Sequence, residues 1–149
     1  MVFQYRFDKI LQIKEKEKGE SLAIYQTAVR KFEEAAEKLY ELLKKKEDLE
    51  IFQSSRLVAG IPVQEIRHHQ QFIVNLQNSI DYYQKMVQNA RNRMNFYQEK
   101  LTEMNIEVKK YEKMKQKDFH MYNEELKHIE GRLMDDISIQ QYMNRGSWV

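Results

Sequence analysis

The stretch Ala59-Gly60-Ile61-Pro62 decides how this chain folds. It holds the only proline in 149 residues and one of only four glycines. Long helical patterns run on either side of it. A glycine just past one helix and a proline at the start of the next is the punctuation of two consecutive helices. Gly60 can take the left-handed conformation that closes a helix. Pro62 has its φ already set for a first helical turn and lacks an N–H that would go unpaired there. The reading is a sharp reversal with two helices folding back on each other.

Working outward, the N-terminal side predicts a first helix over about 3–58, the turn at 59–62, a second helix over about 63–142 and a flexible tail at 143–149, all in one domain. The first helix starts between Phe3 and Asp8, with Phe3, Phe7, Ile10 and Leu11 as its apolar opening. Gly19 follows a charged run and costs a helix about 1 kcal/mol relative to alanine. Leu22, Tyr25, Val29, Phe32, Ala36, Leu39 and Leu43 then alternate spacings of three and four, the rhythm of one helix meeting another. Leu42 and Leu49 fall out of that row and suggest a phase slip. The second helix is cleaner. From Ile66, His69 and Ile73 through Leu76, Ile80, Tyr83, Val87, Ala90, Met94 and Tyr97 to Leu101, Met104, Val108 and Tyr111, the same rhythm holds without a break. It then meets Lys115 and Asp118. A fold-back at Gly60 sets residue 3 opposite 117, so the seam turns polar where the first helix runs out of chain. The fold class is therefore all-α, a long antiparallel two-helix coiled-coil hairpin.

Composition agrees. Charged residues make up 32% of the chain and hydrophobic ones 42%, with a mean hydropathy of -0.80. That leaves too little apolar surface for a thick core and too much for disorder. Net charge is +2, from 25 basic and 23 acidic residues, so no large field draws in nucleic acid or an anionic membrane. Without cysteine there is no disulfide and no thiolate metal site, which suits a reducing cytoplasm. The N-terminus lacks the pattern of a signal peptide. No apolar run approaches the roughly 20 residues that span a bilayer. A soluble chain is expected, touching membranes only through partners.

The chemistry-bearing groups read mainly as structure. A two-helix coil encloses no pocket for an activated nucleophile, so no enzyme, catalytic residue or cofactor is expected. On the turn of Glu65, His68 and His69, Glu65 and His69 stand at i, i+4 and could share a metal, but a third ligand on that face is missing and no metal site is assigned. Lys109, Lys110, Lys113, Lys115 and Lys117 form a basic patch that could serve a nucleic-acid-binding helical arm. The lysines are interleaved with Glu107 and Glu112, and Tyr83, Tyr97 and Tyr111 fall on the seam rather than on stacking platforms. A general coiled-coil chaperone or tether is the other alternative.

Two apolar features exceed what a hairpin needs. Phe72, Ser79 and Met86 line a flank beside the seam near the turn, and Ile51 or Phe52 must also be exposed there. Such a patch on a charged surface marks either a partner site or thicker packing at the turn. Farther on, Tyr122, Leu126, Ile129, Leu133 and Ile137 continue an apolar face that no first-helix segment can cover, and an amphipathic helix in that position is expected to lie in a partner's groove or to dimerise.

Three stretches carry a resemblance. They are Phe3-Gln4-Tyr5-Arg6-Phe7-Asp8-Lys9-Ile10-Leu11, the run from Gly60-Ile61-Pro62 to Gln70-Gln71-Phe72-Ile73, and Met134-Asp135-Asp136-Ile137-Ser138-Ile139-Gln140-Gln141-Tyr142. With the reversal near residue 60 they resemble the FliJ family of flagellar type III export proteins, in its Bacillus-like form. The resemblance covers nearly the whole chain. It implies a cytoplasmic component of the export apparatus, peripherally associated with the inner face of the membrane and needed for flagellum biogenesis, motility and chemotaxis. Members of the family are similar to the central stalk of the rotary F-type ATPase. They promote assembly and activity of a hexameric export ATPase (FliI-like), which has a regulator (FliH-like). They also contact the cytoplasmic domain of the export gate (FlhA-like) and escort export chaperones.

By analogy with the stalk, the ATPase would meet the open end, at Phe3, Phe7, Leu126, Ile129 and Leu133. The gate would meet the turn-proximal half, at Phe72, Leu76, Ser79 and Tyr83 with Leu42 and Leu49 opposite. Neither nucleic acid nor direct membrane insertion is implied.

Overall fold

A heptad-spaced apolar row can be buried only against a second helix, and the chain supplies that helix itself. In a computed structural model, which describes residues 2–146, α1 spans Asp8–Ala59 and α2 spans Val63–Gly146. Their contacts run antiparallel, and among the described residues there is no strand. The fold is an all-α hairpin. Charge favours both helices: Asp8 and Glu65 sit in the first turns, Arg56 and Arg145 in the last, each opposite in sign to the local end of the helix dipole.

Gly60 closes α1 with φ of 82°, and its N–H donates to the Leu57 carbonyl at 3.3 Å. Pro62 stands one place earlier than the first helical position. Its carbonyl accepts the first bonds of α2, from the N–H groups of Glu65 at 3.1 Å and Ile66 at 3.2 Å, so it fills the cap. Across the reversal the Arg56 guanidinium meets the Glu65 carboxylate at 2.7 Å. α1 begins at Asp8, the far limit of the expected start, while α2 continues through 143–146, where a flexible tail was expected. Ser147, Trp148 and Val149, the rest of that tail, lie outside the described residues.

The seam of α2 lies where the sequence puts it: every position of the row from Ile66 to Tyr111 is buried or half-buried. The seam of α1 does so in part: Tyr25, Val29, Phe32, Ala36 and Leu39 are half-buried as expected, but Leu22 and Leu43 are not. Its sheltered row steps by three and four from Leu11 through Tyr25, Ala28, Phe32, Ala35, Leu39, Leu42 and Leu49 to Gln53. Leu22 and Leu43, expected in the seam, are 41% and 42% exposed, while Ala28 is 7% exposed. There is no phase slip; Leu42 and Leu49 belong to the one continuous row. At one polar position of that row, Lys46 Nζ donates to Gln77 Oε1 at 2.6 Å, as burial favours.

Contacts divide the hairpin into two compact units: the described part of Met1–Lys18 with Met104–Val149, and Gly19–Glu103. In the second, Leu76 and Ile80 are the deepest α2 residues. In the first, Tyr5, Leu11 and Val108 form a small core, with Phe3, Phe7, Tyr111 and Met114 packed on it. Residues before Asp8 were expected to enter the helix by its apolar opening. Instead they form a non-helical strap against α2. Tyr5 Oη donates to the Tyr111 carbonyl at 3.0 Å, the Phe3 ring lies 5.1 Å from Phe119, and Asp8 meets Lys115 at 3.6 Å. Burial pushes the Tyr5 phenol above its ordinary value, and Asp118, Tyr111 and Asp8 push it the same way.

Candidate functional site

In the unit Gly19–Glu103, the six positions expected to meet the gate separate by environment. Leu42, Leu49 and Tyr83 are half-buried and Leu76 is buried, all in the seam. Their first task is to hold the helices together. Phe72 and Ser79 are exposed, one heptad apart on the same flank of α2, and Met86 continues the line at 41% exposure. Lys45 Nζ stands over the Phe72 ring at 5.7 Å. Phe52, on α1, is exposed, and its ring lies tilted against His69, ring centroids 5.9 Å apart.

That flank runs into a groove the sequence reading did not anticipate. Three small seam residues, Ala28, Ala35 and Ala90, leave an open trough of about 780 Å³, walled by Ile24, Met86 and Tyr97. Alanine fills too little volume to close a two-helix interface, so the surface is hollow where larger residues would have filled it. The signal was present in the sequence, as alanine at 28 and 35 in the row opposite Ala90.

In the other unit, Phe3 and Phe7 are half-buried. Both are held by intramolecular aromatic contacts, Phe3 also with Tyr122 at 5.4 Å and Phe7 with Tyr111 at 6.4 Å. Leu126 is half-buried, and beyond it every described residue of α2 whose burial is defined is exposed. Ile129 and Leu133 are among them, with Ile137 and Met134 alongside. Of the five residues assigned to the ATPase, the last two thus present a free apolar face, Leu126 stands at its margin, and the two phenylalanines belong to the strap.

The polar constellations are engaged otherwise. Glu65 is bonded to Arg56, and among the described residues no group of three or more potential ligands could hold a metal ion. In the lysine run, Lys115 pairs with Asp8 and Lys110 lies over the Tyr111 ring at 5.9 Å. No helix among the described residues is long and apolar enough to cross a membrane.

These surfaces lie on a sequence whose relatives can be identified. A profile of the flagellar FliJ proteins matches residues 3–147. This chain belongs to the FliJ family. A flagellar FliJ protein of Bacillus subtilis (strain 168) is 54% identical over 146 residues, covering 98% of this chain and 99% of the relative. No solved structure matches the chain. Membership covers both units and the exposed end of α2, so each surface is part of a FliJ protein rather than an appendage to one. It also marks the protein as flagellar, which narrows the partners that its faces can be asked to fit.

Proposed function

We propose that this FliJ protein is a non-catalytic adaptor of the flagellar type III export apparatus. It promotes assembly and activity of the export ATPase (FliI-like, with its FliH-like regulator), connects it to the export gate (FlhA-like) and escorts export chaperones. It works in the cytoplasm, at the inner face of the cell membrane. The observation that carries the reading is the end of α2 past Leu126, helical, apolar along one side and covered by nothing among the described residues. A helix built so finds its stability in a partner's groove. That face, with Ile129 and Leu133 at its centre, serves the ATPase. The flank of Phe72, Ser79 and Met86 serves the gate. Leu42, Leu49, Leu76 and Tyr83 support the gate surface from the seam, and Phe3 and Phe7 support the ATPase surface from the strap.

The test is ATP hydrolysis by the cognate export ATPase with and without the protein. Stimulation is expected. It should weaken about tenfold or more with Leu133→Asp, which places a charge in a desolvated contact, and be untouched by Phe72→Ala. Retention of the gate's cytoplasmic domain should respond in the opposite way. Absence of both stimulation and co-assembly would sink the ATPase assignment. Undiminished gate binding by a folded Phe72→Ala protein would move the gate contact elsewhere.

A further inference from the structure

We propose that two copies of this chain associate reciprocally, each laying the apolar stripe at the end of its α2 into the alanine groove of the other. Three features fit the stripe to the groove. The first is shape. Ala28, Ala35 and Ala90 floor the trough, and small residues let a third helix approach to the roughly 8–10 Å of packed helices. The second is length. The groove takes in residues 23 to 38 of α1, about 22 Å of helix, and the stripe from Leu126 to Ile137 covers about 17 Å.

The third is charge. At 3.6 residues per turn, Glu125, Glu130 and Asp136 border the stripe of Leu126, Ile129, Leu133 and Ile137. The groove is edged by Lys31, Lys38 and Arg93, against a single acid, Glu34. None of those three bases or three acids makes an ion pair among the described residues. Acid-edged stripe and base-edged groove are complementary, and complementary edges fix register and partner more than they add affinity. The occupant is a second copy, because the acid-edged stripe that the base-edged groove fits is carried by this same chain. Exchange in both directions closes on a two-fold axis and leaves neither stripe nor groove open. None of this depends on which machine the stripe meets in the cell.

Sedimentation velocity on the full chain, over a concentration series at low and high salt, tests the arrangement. A concentration-dependent dimer is expected, weaker at high salt. Leu133→Asp should weaken it by about tenfold or more. Lys31→Glu with Arg93→Glu should also weaken it, by setting like charges face to face. Adding Glu130→Lys and Asp136→Lys to that double variant should restore the dimer, which a general loss of fold would not allow. All the altered side chains are exposed, and far-UV circular dichroism checks that the helices persist. A monomer at every concentration would overturn the proposal. So would a dimer indifferent to Leu133→Asp, or one that Leu133→Asp breaks but groove charge reversal leaves intact, since the stripes would then be pairing with each other. Species growing beyond a dimer would overturn the reciprocal closure.

Discussion

At the scale of single residues, two glycines, one inside α1 and one just past its end, should respond to alanine in opposite directions. Gly60 has φ of 82° and open space where a Cβ would stand. Gly60→Ala therefore meets no clash from a neighbour, only the backbone penalty of a left-handed L-residue, about 1–2 kcal/mol. Gly19 lies inside α1 with equally open space. Gly19→Ala should gain about 1 kcal/mol from helix propensity alone. Urea unfolding followed at 222 nm separates the two, and equal or same-signed shifts would contradict the turn geometry. Gly60 was legible in the sequence because a lone glycine beside a lone proline has few other readings. The strap was not. Phe3, Tyr5 and Phe7 alternate over too few residues to show a period, and only the α2 surface of Tyr111, Met114 and Phe119 gives them a place. Hence the sequence could place Phe3 and Phe7 at the open end but could not show that they pack half-buried against α2.

At the scale of the helices, the neighbours Leu42 and Leu43 distinguish the two seam registers on α1. Leu42 is half-buried in the row that continues through Leu49, and Leu43 is 42% exposed. Leu42→Ala should cost about 2 kcal/mol, at the low end for a sheltered leucine. Leu43→Ala should stay within about 0.5 kcal/mol, as surface changes do. Chemical denaturation of both variants decides it, and a larger cost at Leu43 would restore the register read from the sequence. α2 was legible because its row is large and apolar nearly throughout. α1 was not, since its true row includes Ala28, Ala35, Lys46 and Gln53, while Leu22 and Leu43 sit one position away and dominate any reading by size. Choosing the larger residues also concealed the groove, because a hollow is made by the residues that are too small. The free end of α2 was legible by counting from the turn. The packing of Phe3 on Phe119 and Tyr122 just before that end was not, because the strap has no helical period.

At the scale of the whole molecule, the two compact units are stabilised by different chemistry. Gly19–Glu103 rests on seam packing around Leu76 and Ile80. The unit of Met1–Lys18 with Met104–Val149 adds the strap, anchored by the Tyr5 hydroxyl on the Tyr111 carbonyl. Local stability follows such differences, and amide exchange reads them segment by segment. Tyr5 makes the strap sensitive to pH in a defined direction. Its phenol is raised in the folded chain, so the native state holds this proton more tightly than the unfolded one. The stability it supplies is complete below the ordinary tyrosine value of about 10, and is lost as pH rises through the folded value. The phenolate that remains has no proton to donate to Tyr111. Tyr5→Phe keeps the ring in the small core but removes the bond, so amides at the start of α1 and around Tyr111 should exchange severalfold faster at neutral pH. Amides within 19–103 should keep their protection. In the unaltered protein, raising the pH past 10 should reproduce the change, and the Tyr5→Phe protein should show less further loss there. Exchange that quickens equally in both units, or a pH response that survives Tyr5→Phe in full, would mean that Tyr5 does not anchor the strap.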